Sequence, residues 1–214
     1  MRNTSTKFQF VALAFSLMGV TSAYADDLFY VGPKVGFMQQ EITCPASSGS
    51  SSSCSTGMAL LGGITVGYNL LGKNAQFPMD MGGLSIALEG ELANTLTNLQ
   101  ASDKVLDAGG NLVGSYTLTW KIKSQSLYTV FRYDFNDKFF AQARVGRSNY
   151  KTTGTATYSG FGGGTTTIDG SSSDTGYGLG GGINFSSSQI RLDLTSGGSK
   201  SKLTSVAFAY MLKF

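Results

Sequence analysis

Charged residues recur at alternate positions in segments that are otherwise apolar, and that spacing is the main chemical signal of the chain. Lys34 stands between Gly32 and Gly36, Glu89 and Glu91 alternate with Leu88 and Leu92, and Arg191 and Asp193 alternate with Ile190, Leu192 and Leu194. Arg132 and Arg144 have similar settings, as do Lys121 and Lys123 beside Trp120 and Ile122. Successive side chains on a strand point to opposite faces, so each segment has one apolar face and one face that carries charge. We read Lys34, Glu89, Glu91, Lys121, Lys123, Arg132, Arg144, Arg191 and Asp193 as one set lining the inside of a barrel. Unpaired charges in a narrow, dry interior are costly, so opposite signs are expected to pair there. That gives a plugged, salt-bridged core. The other reading of the same set is a narrow gated water path lined by Glu89 and Glu91 against lysine and arginine.

Catalysis has little to work with. The chain contains no histidine, so the usual general base near neutral pH is missing. Tyrosines, lysines and carboxylates form no evident catalytic constellation, and Gly160-Phe-Gly-Gly-Gly164 lacks the strand-to-helix setting of a phosphate-binding loop. We therefore expect no enzyme, no cofactor and no metal. A nucleic-acid surface would need a clustered basic face. The balance is only 16 basic against 13 acidic residues, and Arg2 and Lys7 belong to the leader described below. Cys44 and Cys54 flank a Ser-rich stretch, and a lone pair outside the cytoplasm reads as a disulfide rather than a metal site. Closing so short a loop restrains it by about 2–3 kcal/mol on the chain-entropy model.

The elements that must position these residues begin after an export signal. Arg2 and Lys7 precede an apolar stretch from Phe8 to Val20, and Ala23-Tyr24-Ala25 supplies the small-x-small cleavage pattern. The expected cut follows Ala25, leaving a single domain over 26–214. The apolar stretch is short of the roughly 20 residues of a spanning helix, which argues against an uncleaved anchor. Glycine and aromatic residues are abundant and proline is rare, a mixture that disfavours helix and suits strands.

Eight candidate strands follow, all but the seventh about ten residues or more, the length that crosses a bilayer when tilted. They run 28–40, 58–70, 83–93, 115–133, 139–150, 174–185, 189–195 and from Leu203 to Phe214. In the fourth, Tyr116, Leu118, Trp120 and Ile122 are expected outward, with Leu127, Phe131 and Tyr133 outward after a phase change. A β-bulge near Ser124-Gln125-Ser126 would produce that change, because one extra residue reverses every later side chain. The last strand sends Val206, Phe208, Tyr210, Leu212 and Phe214 one way and small or polar residues the other. Long links at 41–57, 94–114 and 151–173 alternate with short ones at 134–138 and 186–188; 72–82, with Pro78, is longer than the pattern prefers. The long links are expected to be polar, flexible external loops and the short ones periplasmic turns. Tyr30, Tyr68, Tyr116, Trp120, Tyr133, Tyr150, Tyr177 and Tyr210 are expected to form interfacial girdles. A soluble lipocalin-like barrel would invert the pattern and put the apolar faces around an internal ligand.

With these features in place, the mature chain resembles the small outer-membrane β-barrel proteins of the opacity-like and OmpA-type superfamily. The resemblance rests on Ala23-Tyr24-Ala25, Tyr68-Asn69, Tyr133-Asp134-Phe135, Gly178-Leu-Gly-Gly-Gly-Ile-Asn-Phe185 and the terminal Phe214. It implies an all-β fold, an eight-stranded antiparallel transmembrane β-barrel in the outer membrane of a Gram-negative bacterium, with extracellular loops. It also implies insertion by the barrel assembly machinery, which reads the aromatic strand carrying Phe208, Tyr210, Leu212 and Phe214. Unlike the two-domain members, the chain is expected to carry no peptidoglycan-binding domain after Phe214. Expected partners are outer-membrane lipid and lipopolysaccharide, and a host or surface ligand at the loops; no nucleic acid is expected, and the chain is read as a monomer. The functional readings are a structural or surface-interaction role carried by the loops, a narrow porin-like channel, and a host-contact adhesin.

Overall fold

The computed structural model describes residues 28–41, 57–71, 83–106, 111–160, 163–198 and 202–214. The signal segment with Ala23 and Ala25, Cys44 and Cys54, and the 72–82 link lie outside the described residues. The strands are β1 (Phe29–Gln40), β2 (Ala59–Leu71), β3 (Leu84–Thr95), β4 (Leu99–Leu106), β5 (Leu112–Asp134), β6 (Phe139–Gly160), β7 (Gly164–Asn184), β8 (Ser188–Gly197) and β9 (Leu203–Lys213). All neighbours are antiparallel, in the order β3-β2-β1-β9-β8-β7-β6-β5-β4, and an additional β3–β5 pairing closes the sheet. Eight strands thus form a closed antiparallel transmembrane barrel, and β4 is an extra strand outside the ring.

β5 changes partner along its length. Its lower part pairs with β3, from Leu84↔Tyr133 to Asn94↔Lys123, and its upper part pairs with β4, from Leu99↔Trp120 to Leu106↔Leu112. Thr95 holds the junction: the Ile122 amide donates to its hydroxyl oxygen at 2.9 Å. β5, β6 and β7 span 23, 22 and 21 residues, where about 10 suffice to cross a bilayer. Their upper parts, with β4, therefore stand beyond the barrel as a four-stranded extension.

That extension corrects the expectation of flexible loops at 94–114 and 151–173. Residues 151–158 pair with 164–171 in continuous register, from Lys151↔Ser171 to Tyr158↔Gly164. Threonine suits the pleated backbone, yet Thr and Ser on both sides of a strand leave no apolar alternation to reveal it.

Outside, the barrel is apolar all round. Phe208 is 59% exposed and Leu179 66%, and Val35, Ile64, Leu92, Leu127, Phe131, Val145 and Leu192 join them in one band. Soluble monomers rarely expose contiguous apolar patches beyond a few hundred Å². Inside, polar and charged residues alternate with small ones. That inside-out arrangement is the reverse of a lipocalin-like barrel and fits a lipid surround. At the short-turn end, Phe29 and Phe214 exchange backbone hydrogen bonds of 3.1 and 2.8 Å, which ties the first barrel strand to the last.

Candidate functional site: the barrel interior and its collar

The central interior holds three cations and three carboxylates brought together from β1, β3, β6 and β8. Glu89 and Glu91 point inward from β3, Lys34 from β1, Arg144 from β6, and Arg191 and Asp193 from β8, all buried. Lys34 Nζ lies 2.8 Å from Glu91 Oε2. Both terminal nitrogens of Arg191 engage Glu89, one of them at 3.0 Å from Oε2, and its Nε lies 2.9 Å from Asp193 Oδ2. Arg144 stands between the three carboxylates, 3.3 Å from Glu91, 3.6 Å from Asp193 and 3.7 Å from Glu89. Neutral groups complete the network. The Tyr30 hydroxyl donates to Glu89 at 2.6 Å, the Gln142 amide donates to Asp193 at 3.0 Å, and Arg144 donates to Thr195.

Nearer the short-turn end is a second cluster. Arg132 donates to Asp134 Oδ1 at 2.8 Å and to Asn184 at 2.7 Å, and also to Gln189; its guanidinium carbon lies 3.7 Å from the centre of the Phe140 ring. Counted together, the two clusters carry no net charge.

The inward glycines of β7 explain how such bulk fits a narrow barrel. Gly178 faces Arg144, Gly180 faces Asp193 and Gln142, and Gly182 faces Phe140 and the Arg191 backbone. A Cβ at Gly178 would sit 2.9 Å from Arg144 Nε, closer than real Cβ contacts occur. Likewise Gly67 leaves the space that the Tyr30 ring fills.

Above the ion pairs the interior turns apolar. Met38, Ala59, Leu61, Ala93, Leu99, Ala101, Trp120, Ile122, Tyr150 and Leu203 pack as one buried cluster, a collar where the barrel meets the extension. The Trp120 indole donates to Gln40 at 2.9 Å, so its one polar atom is satisfied. Between collar and ion pairs lies a cavity of about 20 Å³, lined by Glu91, Tyr128, Thr195 and Leu203 among others. That is room for roughly one water.

Three expectations need correction here. Lys121 and Lys123 are exposed and point outward, and Trp120 and Ile122 point inward. No bulge interrupts β5 between Lys121 and Asp134; its register against β6 is continuous. The physical reason is height. Trp120 and Ile122 lie above the lipid band, where the inward face is the dry one. Third, Tyr30, Trp120 and Tyr150 are buried inside the barrel and Tyr116 lies on the inner face of the extension, whereas Tyr68, Tyr133, Tyr177 and Tyr210 are exposed on the outside. Tyr30 and Tyr150 share the phase of Lys34 and Arg144, and that parity is the sequence signal that places them inside. Phe208, Tyr210, Leu212 and Phe214 all face outward.

No family model matches the chain, and no curated protein does. Among solved structures it is similar to Ail, the attachment invasion locus protein of Yersinia pestis, at 13% identity over 86% of this chain and 96% of that one, with a TM-score of 0.41. It is similar to the N-terminal β-barrel domain of Pseudomonas aeruginosa OprF at 11% identity over 86% and 97%, with a TM-score of 0.46. The outer membrane protein OprG of the same species shows 10% identity over 86% and 92%, also at 0.46. At these identities no residue role passes from them to this chain.

Proposed function

We propose that this chain, an eight-stranded barrel of the OmpA and opacity-like type, is an integral outer-membrane protein whose barrel is a sealed anchor and whose extension is the working surface. The observation that supports this most directly is the neutral interior network beneath the apolar collar. Every central charge has an opposite charge within 4 Å, and the cavity among the described residues beside Glu91 has room for about one water. A conducting path would have to break several buried ion pairs and also wet the Trp120 collar. By contrast, the extension presents much material outside the lipid band. Tyr116, Leu118 and Ile168, half-buried, lie on its barrel-side face, and Thr117, Thr119, Thr155, Thr157 and Thr167 lie on the other. Aromatic residues on an otherwise polar surface are the compositional mark of contact surfaces. A rigid hairpin also lowers the ordering cost of binding. The extension would face the cell exterior, with a host or surface ligand as its partner.

The test is electrical. The folded protein, its insertion confirmed by heat-modifiable gel mobility, is placed in a planar lipid bilayer and single-channel current is recorded. A silent membrane is expected. Reproducible discrete steps that change with Glu89→Gln or Glu91→Gln would overturn the sealed-anchor reading in favour of a narrow channel.

A further inference from the structure

Because Lys121 and Lys123 point outward, the exterior of β5 and β6 changes character abruptly with height. On β5 the outward face runs Tyr133, Phe131, Thr129 and Leu127, then Gln125, Lys123 and Lys121. On β6 it runs Phe139, Ala141, Ala143 and Val145, then Arg147, Asn149 and Lys151. The two transitions lie within two residues of each other in the register, since Leu127 pairs with Arg147, Gln125 with Asn149 and Lys123 with Lys151. From Phe135 up to Gln125 is about 33 Å along a strand, or about 25 Å along the axis of a barrel tilted by ~40°. This matches the height of the apolar band on outer-membrane barrels, about 25 Å. Arg147 thus lies at the upper edge of the band, and the three lysines lie at the level of lipid headgroups.

The cations are placed where the fold alone gives them no purpose. Lys123 and Lys151 are direct cross-strand partners on one face, an arrangement that destabilises a sheet when both are charged. Among the described residues their one carboxylate partner is Asp169, 3.8 Å from Lys151, and both side chains are largely exposed. Arg147 Nε donates to Ser173 at 2.8 Å, which fixes the guanidinium and leaves its terminal nitrogens outside that bond. At similar height elsewhere on the barrel, Lys202 is matched by Glu41 at 3.8 Å. The excess of positive charge is therefore local to β5 and β6, directly above the apolar surface of Leu127, Val145 and Tyr177.

We propose that Lys121, Lys123, Arg147 and Lys151 bind the phosphate groups of the phosphorylated glycolipid of the outer leaflet, whose acyl chains lie on the apolar surface below. The proposal rests on the outer-membrane reading with the extension outside. The chemistry is that of an amphiphile matched in two parts: a multiply anionic headgroup relieves the lysine–lysine repulsion, and a fixed guanidinium suits bidentate phosphate binding. Arginine and lysine near an anionic lipid surface each contribute modestly, so the site works by accumulation.

The full chain is folded into phosphatidylcholine vesicles containing either bisphosphorylated lipid A or the same lipid stripped of phosphate, and folding is confirmed by heat-modifiable mobility. Lipid A retained after mild detergent extraction is counted by native mass spectrometry. The wild type is expected to retain the bisphosphorylated lipid in preference to the stripped one. Joint replacement Lys121→Gln, Lys123→Gln and Lys151→Gln should lower retention on the order of a hundredfold. Arginine at the same three positions should restore it, and Lys138→Gln, in a turn at the opposite end, should leave it unchanged. Equal retention of the stripped lipid, or full retention by the triple glutamine variant, would overturn the proposal. Binding of heparin without lipid A would also overturn it, assigning the patch to a soluble polyanion. A chain that folds into neither vesicle would sink the barrel reading itself, which is a separate and visible result.

Discussion

Glu89 shows at the scale of one residue how the interior is held. It is fully buried, and it accepts from Arg191 and from the Tyr30 hydroxyl. Removing one member of a buried ion pair strands the other charge, which costs about 3–5 kcal/mol. Glu89→Ala and Arg191→Ala should each destabilise the barrel by that amount, and the double variant by clearly less than their sum. Urea unfolding from lipid vesicles measures all three. Additive losses below about 1 kcal/mol would mean the pair is already bathed in water, and the channel reading would gain. Much of this network is legible in the sequence, because a charge at every second position of an apolar strand must turn away from lipid and meet its opposite inside. Partner choice is not legible there. That Arg144 stands among three carboxylates depends on Gly178 and Gly180 leaving room across the strand, a matter of packing between segments distant in sequence.

Strands behave less uniformly than residues, and β5 is the instructive one. Its lower half follows the alternation expected of a lipid-facing strand, with Leu127, Phe131 and Tyr133 outward. In its upper half the same alternation is present, but Trp120 and Ile122 face in and Lys121 and Lys123 face out. Period two fixes that two faces differ; it does not say which face meets lipid, and that depends on where the membrane ends along the strand. No bulge is needed in a strand that simply leaves the bilayer. The collar formed by this upper half makes a further prediction. Leu61 is buried in the same cluster as Trp120, the chain's one tryptophan. Leu61→Ala should cost about 2–5 kcal/mol through lost packing and an incompletely filled cavity, and it should red-shift tryptophan emission as water reaches the collar. Unchanged emission with a large stability loss would place Trp120 outside the cooperative cluster.

At the scale of the whole molecule, closure and projection use different stretches of the same long strands. The ring closes through β3 with the lower half of β5, while the extension is built from β4 and the upper parts of β5, β6 and β7. Backbone pairing within the bilayer is therefore complete without the upper hairpin, and a closed barrel has no edge left to satisfy. Thr153 and Asp169 are cross-strand partners in the β6–β7 register. Replacing residues 154–168 by Asn-Gly would shorten that hairpin through a two-residue turn of the kind whose twist suits paired strands. The shortened chain should keep heat-modifiable mobility and insert into vesicles like the full one, because the described residues removed lie above the lipid band. It should lose any surface-binding activity that the full chain displays on cells or extracellular ligands, since Tyr158 and Ile168 go with the hairpin. A variant that no longer folds would show that the extension is part of the barrel's own stability. A folded variant with intact binding would move the working surface to the other end loops. A folded variant, with or without binding, would separate what anchors this protein from what it presents, because strands this long otherwise serve both purposes at once.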